Sequence, residues 1–93
     1  MGASIILVTY NGERYLEACL EAVLQEVGPQ DEIILVDNAS TDGSANLVRE
    51  RWPGVRLIQN QTNRGFAAAS NQGAAAAQGD VLVFLNQDTQ VQP

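Results

Sequence analysis

Two carboxylates and a group of hydroxyl and amide side chains are the residues in this chain whose types and spacing can do chemistry. Asp37 closes the apolar run Ile33-Ile34-Leu35-Val36, and Asp88 stands three residues past the run Val81-Leu82-Val83-Phe84-Leu85. A carboxylate that leaves an apolar run can accept hydrogen bonds from a base or a ribose, or offer hard oxygen to Mg²⁺ or Mn²⁺. Each can equally cap the segment that follows it. Thr9, Tyr10 and Asn11 close a third apolar run, Ile5 to Val8, and Asn63-Arg64-Gly65 makes a polar turn. Tyr10 can stack on a base or pack beside the next segment. Arg64 can neutralise a phosphate or stay solvated. Asn63 and Gly65 can meet a ligand through backbone groups, or Gly65 can simply begin a helix. Asn38, Ser40, Thr41 and Asp42 have the composition of a turn and a helix cap, and Asp42-Gly43 reads as a turn.

The elements that must position these groups follow from the apolar pattern. Ile5 to Val8, Glu32 to Asp37 and Val81 to Leu85 read as buried strands of a parallel sheet, and Val55 to Gln59 as a shorter, more polar one. Between the first two, Tyr15, Leu16, Cys19, Leu20, Val23, Leu24 and Val27 recur at helical spacing while Glu13, Glu17 and Glu21 take another face. Asn11 is placed to cap that helix and Gly28-Pro29 to end it. A second helix runs from about Ala45 to Trp52, a helix-end packing residue, and stops at Pro53-Gly54. A third, Phe66 to Gln78, is rich in alanine, so it can lie close to a sheet, with Gly79 as its terminator. The fold class is therefore α/β, a Rossmann-like βαβαβαβ parallel sheet with right-handed crossovers and no linker. In such a sheet ligands bind beyond the carboxyl ends of the strands. That edge carries Thr9, Tyr10 and Asn11, then Asp37, then Asn86 and Asp88, with the Asn63 turn beside them.

Composition narrows the chemistry. Ninety-three residues make one domain, spanning 1–93, and 45% apolar against 17% charged residues is enough to build a core. A net charge of −6, with five Arg and no Lys, has the wrong sign for attraction to nucleic acid. The absence of His removes Ser-His and Cys-His nucleophile pairs and His metal ligands. Cys19 stands alone, which leaves no internal disulfide and no thiolate zinc site, and it reads as a buried helix position. The longest aliphatic run is far short of the ~20 residues of a membrane span. With no basic signal region at the start, a cytoplasmic location is the expectation, peripheral to the inner membrane face in a full-length protein. No G-x-G-x-x-G follows the first strand, and a chain without lysine has no phosphate-binding G-x-x-x-x-G-K loop.

Four segments in order resemble glycosyltransferase family 2, the inverting enzymes of the GT-A fold. They are Ile6-Leu7-Val8-Thr9-Tyr10-Asn11, Ile34 to Ser44, Asn63 to Gly73 and Gly79 to Thr89. The forms Val36-Asp37-Asn38-Ala39-Ser40-Thr41-Asp42-Gly43-Ser44 and Leu85-Asn86-Gln87-Asp88-Thr89 are similar to the rhamnosyltransferase-like branch. The resemblance implies the amino-terminal half of a GT-A domain that binds a UDP- or dTDP-sugar for transfer to a glycan, lipid or polysaccharide acceptor. It implies that Thr9, Tyr10 and Asn11 line the nucleotide pocket, that Asp37 bonds the base, and that Asn63, Gly65, Asn86 and Asp88 complete the site. Asp88, in the D-x-D region, would hold Mg²⁺ or Mn²⁺ on the diphosphate.

The chain also departs from that pattern. Asn86 replaces the first acid of D-x-D, Thr89 stands where many relatives carry a further Asp, and Ser70 stands where many carry an Arg. The resemblance places the family's catalytic base in a later segment, so the chain, ending at Pro93, reads as a truncated enzyme in which no residue is named as the base, with weak nucleotide binding and little or no turnover expected. The alternative is a non-catalytic nucleotide-binding or interaction domain with a degenerate glycosyltransferase pattern. The fourth strand would carry an open edge, with self-association as its consequence.

Overall fold

Each apolar run is a strand in the computed structural model, which describes residues 2–86. β1 spans Ala3–Thr9, β2 Glu32–Asp37, β3 Arg56–Gln59 and β4 Val81–Asn86. Helices α1 (Glu13–Glu26), α2 (Ser44–Arg51) and α3 (Phe66–Ala76) alternate with them, so the expected βαβαβαβ order holds. All neighbouring strands are parallel, in the order β3-β2-β1-β4. β1 and β2 are central and covered on both faces, which is why their sequences are unbroken apolar runs rather than alternating ones.

Odd and even strand positions serve two different cores. Ile5, Leu7, Ile33 and Leu35 meet Leu16, Cys19, Leu20 and Val23 of α1 and Val48 of α2. Ile6, Val8, Ile34 and Val36 point the other way and meet Ala69 of α3. Two helices therefore cover one face and one covers the other. Right-handed crossovers produce this arrangement when the chain first steps outward through β2 and β3 and then crosses back to β4. The small residues of α3 allow a close approach: a Cβ added to Gly73 would lie only 2.6 Å from Ile6 Cγ2.

Cys19 is fully buried, and desolvation pushes its thiol up to about 11. Trp52 packs at the end of α2 against the same core, and its N–H donates to the Val48 carbonyl at 2.9 Å. Tyr15 and Leu24, grouped above with the buried stripe of α1, are exposed at its margins.

Three capping expectations fail, each for a local reason. Asn11 does not cap α1; the N-cap is Gly12, and the Asn11 side chain turns instead toward the loop after β2. Gly28 and Gly79 do not terminate helices in the left-handed region. α1 stops at Glu26 and α3 at Ala76 because Val27 and Ala77 turn into extended backbone. Gly28 instead gives its N–H to Asp31 Oδ2, and Gly79 gives its N–H to Ser4 Oγ, both at 2.8 Å.

Candidate functional site

The strand order changes direction at β1, which continues to β2 on one side and receives β4 on the other. Polar groups collect at the carboxyl ends there. The register pairs Thr9 with Asp37, Asp37 with Gln59, and Val8 with Asn86, so three strands end in one row and β4 ends one position away. With neighbouring strands about 4.8 Å apart, Asp37 lies roughly 10 Å from β4, with β1 between them.

Asp37 is only 1% exposed, and both of its oxygens are engaged by one residue. The Ser40 hydroxyl donates to Oδ1 at 2.6 Å and the Ser40 N–H donates to Oδ2 at 3.1 Å. Ser40 Oγ in turn accepts the Asn11 N–H at 2.8 Å, which links the loop after β1 to the carboxylate at the end of β2. Asn11 Oδ1 repeats the link by accepting the N–H of Thr41 at 2.7 Å and that of Asp42 at 3.3 Å. Reaching this position puts Asn11 at φ 51°, in the left-handed region that Asn tolerates. Ala39, at φ 67°, shares that region without the side chain that eases it.

The helices that follow β1 and β2 cap one another. Asp42 Oδ2 accepts the Glu13 N–H at the start of α1 at 3.2 Å, while Glu13 Oε1 accepts the Gly43 N–H at the start of α2 at 3.0 Å. Neither Gly12 nor Gly43 has a side chain to cap with, so the acceptors come from Asp42, just before α2, and from Glu13 in the first turn of α1. Asp42 Oδ1 also accepts the N–H and hydroxyl of Ser44. Partial burial raises the Asp42 carboxyl, but the Ser44 and Glu13 donors outweigh it and the net position is below the ordinary value.

A third group of polar residues holds the turn after β3. Asn38 Oδ1 accepts from Asn60 Nδ2 and from the Arg64 N–H, and Asn38 Nδ2 donates to the Gly65 carbonyl, each at 3.1 Å. Asn60 and Gln72 exchange side-chain bonds at 2.9 and 2.8 Å. Gly65 begins α3 at φ 84° and ψ 166°, a region essentially restricted to glycine, and gives its N–H to Asn63 Oδ1 at 2.8 Å.

The structure thus brings Thr9, Tyr10, Asn11, Asp37, Asn63, Gly65 and the end of β4 at Asn86 to one edge of the sheet. Thr9 is buried, Tyr10 is 45% exposed, and Asp88 lies outside the described residues. Asp42 proves to be a cap and Ser40 a local loop bond to Asp37, as their composition indicated, whereas the Asn38 side chain reaches across to the turn before α3 instead. Sequence reasoning missed Asn60 and Gln72 altogether. They are 12 positions apart on different elements, and no local pattern announces that they meet.

Among the described residues no three His, Cys, Asp or Glu side chains gather where they could hold a metal ion. No helix among the described residues is long and apolar enough to cross a membrane. An apolar cleft of about 410 Å³ lies between α1 and β4, lined by Ile5, Val23, Val83 and Leu85 among others, and contains none of the edge residues.

Fold and edge together define an open parallel α/β domain covered on both faces, with its polar loops at the strand carboxyl ends. Known proteins make the class specific. The family described as Glycosyl transferase family 2 matches residues 4–93, and the chain belongs to it. An uncharacterised glycosyltransferase of Haemophilus influenzae is 39% identical over 88 residues, covering 91% of this chain and 35% of the relative. The crystal structure of S. aureus TarS 1-349 in complex with UDP superposes with a TM-score of 0.85 at 28% identity, over 95% of this chain and 28% of that TarS segment. The same TarS segment is also solved with UDP-GlcNAc. The mannosyltransferase PcManGT of Pyrobaculum calidifontis, in complex with GDP-Man and Mn²⁺, gives a TM-score of 0.83 at 30% identity, over 92% of this chain and 27% of its own. The fold is accordingly that of part of a GT-A glycosyltransferase. The chain spans 27–35% of the length of the first curated relatives it matches.

Proposed function

We propose that this chain is the donor-nucleotide-binding part of an inverting glycosyltransferase. The enzyme is a hexosyltransferase of the rhamnosyltransferase-like branch that takes a UDP- or dTDP-sugar and glycosylates a glycan, lipid or polysaccharide acceptor. The observation that carries the reading is the row formed by Thr9 and Asp37 across the two central strands, beside the end of β4 at the switch in strand order. Its roughly 10 Å span suits a nucleoside laid across the strand ends, base toward β2 and diphosphate toward β4. The nucleotides in the TarS and PcManGT complexes support this choice of ligand class.

In this reading Thr9, Tyr10 and Asn11 line the base pocket, with Tyr10 offering an exposed ring. An ionised carboxylate has about four acceptor positions, so Asp37 can take a base N–H beyond the two bonds from Ser40. Asn63 and Gly65 form the wall supplied by the turn before α3. Asn86 and Asp88 meet the ribose and diphosphate, and Asp88 gives one hard oxygen to Mg²⁺ or Mn²⁺. Such an ion, when bound, neutralises charge growing on the departing nucleoside diphosphate. The base that activates the acceptor is assigned to no residue here, so these residues alone are expected to bind nucleotide without turnover. In the cell the full-length enzyme works on the cytoplasmic side, at most peripheral to the membrane. The free edge of β4, where Val81 to Phe84 are exposed, pairs with a second copy when nothing else covers it.

Calorimetric titration with UDP and with dTDP, with and without Mn²⁺, tests the assignment. Binding of at least one nucleotide, weakened in Asp37→Ala and Asp88→Ala, is expected. Binding of neither, with both variants behaving like the original, would overturn it.

A further inference from the structure

Three carboxamides from three separate elements meet behind the proposed donor site. Asn38 follows β2, Asn60 follows β3, and Gln72 lies in the second turn of α3. Asn38 is 2% exposed and Asn60 8%. Buried amides at this depth are costly unless paired, and here each amide nitrogen and oxygen has at least one partner, in a directional arrangement. Asn38 must present its oxygen to two donors, Asn60 Nδ2 and the Arg64 N–H, and its nitrogen to one acceptor, the Gly65 carbonyl. Flipping the amide would set three donors against one another and two carbonyl oxygens face to face, so the network itself fixes the orientation. Asn60 is held in turn by the reciprocal pair with Gln72, and its N–H donates to the Asp37 carbonyl at 2.9 Å. The Asn38 N–H donates to the Thr9 carbonyl at 2.8 Å.

We propose that Asn38, backed by Asn60 and Gln72, is a positioning residue for donor binding. Its one amide accepts from the Arg64 N–H and donates to the Gly65 carbonyl, and so holds the turn at the start of α3 in its ligand-ready shape before nucleotide arrives. Gly65 needs such a clamp, because its backbone lies in a region where glycine has many alternatives nearby. The clamp requires a group that donates and accepts at once. A carboxylate at position 38 would oppose the Gly65 carbonyl, whereas its protonated form restores one donor and one acceptor. The inference rests on the donor reading above, because it assigns the turn a ligand.

The test is Asn38→Asp, with Gln72→Met as a milder variant that loosens the network from its far end. Two readouts are taken on proteins whose melting confirms that they fold: trypsin cleavage after Arg64, which is exposed, and calorimetric titration with UDP and dTDP. At pH 7.5 Asn38→Asp is expected to be cut faster after Arg64 and to bind nucleotide about tenfold more weakly, the cost of one spoiled buried hydrogen bond. Toward pH 5 it should regain several-fold in affinity while the original protein changes less than twofold, a recovery that a general loss of packing would not show. Gln72→Met should weaken binding by about threefold without pH recovery, and it carries the test if Asn38→Asp does not fold. If the original protein binds nucleotide and both variants match it in affinity and cleavage, the positioning role is wrong and the donor reading stands. If the original binds neither nucleotide, the donor reading fails and takes this inference with it.

Discussion

Replacing Gly73 with alanine sets two opposing effects against each other, and the structure decides the sign. Within a helix alanine is favoured over glycine by about 1 kcal/mol. Against that, the new Cβ would lie 2.6 Å from Ile6 Cγ2 and 3.3 Å from both Ile6 Cγ1 and Val36 Cγ2. Comfortable carbon contacts begin near ~3.5 Å, so α3 would have to rise from β1 by about 1 Å. Ile6 and Val36 are fully buried, and their branched side chains have little rotamer freedom with which to yield. Overpacking of this kind costs ~1–3 kcal/mol. The upper part of that range applies here, which leaves a net loss of about 1–2 kcal/mol after the propensity gain. For a domain of this size the loss corresponds to a melting temperature lower by roughly 5–15 °C. Gly54→Ala is the control, because nothing lies within 4 Å of its added Cβ. It should melt at or slightly above the original. Thermal melts followed by circular dichroism measure both. A Gly73→Ala protein that melts at or above the original would refute the close approach of α3 to β1, and with it the account of why this helix is built from small residues.

Two further expectations concern acid and concentration. Asp31 is held below its ordinary value by the Gly28 and Ala3 N–H groups, Glu32 by the Ser4 hydroxyl and the Gln78 N–H, and Asp42 on balance by its Ser44 and Glu13 donors. A carboxyl lowered on folding adds stability that is complete above its unfolded value, near ~4, and is lost as pH falls through the folded one. Melts from pH 7 to pH 3 should therefore be level above about pH 5 and decline below it; a midpoint that holds or rises down to pH 3 would contradict the three assignments. Sedimentation at rising concentration should reveal association through β4, since Val81 is 58% exposed and Leu82, Val83 and Phe84 beside it carry no charge to block pairing. A clean monomer at high concentration would remove that edge as an interface.

The strands were legible because burial on two faces leaves only apolar residues, and Ile5 to Val8 and Ile33 to Val36 have no other use. The layering was not, because the handedness of crossovers assigns α1 and α2 to one face and α3 to the other only once the strand order is known, and no residue pattern announces that order. What failed was capping, because a cap can come from anywhere in space. Asn11 has the side chain of an N-cap and the right position in sequence, yet Thr41 and Asp42 present N–H groups that it meets instead. Glu13 looked like one acid among several on a solvated face, and its bond to the Gly43 N–H depends on a loop 30 residues away. Gly28 and Gly79 looked like terminators, but extended backbone one residue past the helix end does that work without a left-handed residue. The edge was visible as a set of polar strand ends. The amide network behind it was not, because Asn60 and Gln72 have no spacing rule that joins them.

These long-range bonds converge on one short segment. Within residues 37–42, Asp37 holds Ser40, Ser40 holds the loop after β1, Asn38 holds the turn before α3, and Asp42 caps both α1 and α2. Three separate loops at the sheet edge therefore take their shape from the stretch that follows β2. The polar side chains there are largely spent on one another: Asp37, Asn38, Ser40 and Asp42 each bond a named internal partner. A ligand at this edge would accordingly meet a surface whose geometry is already fixed, through backbone groups, the Tyr10 ring and the remaining acceptor positions of the carboxylates. Such a site loses less conformational freedom on binding than one whose loops must order around the ligand. Asn38, Asn60 and Asp42 are paired with residues of other segments, so the bonds that shape the edge also join its loops to the sheet.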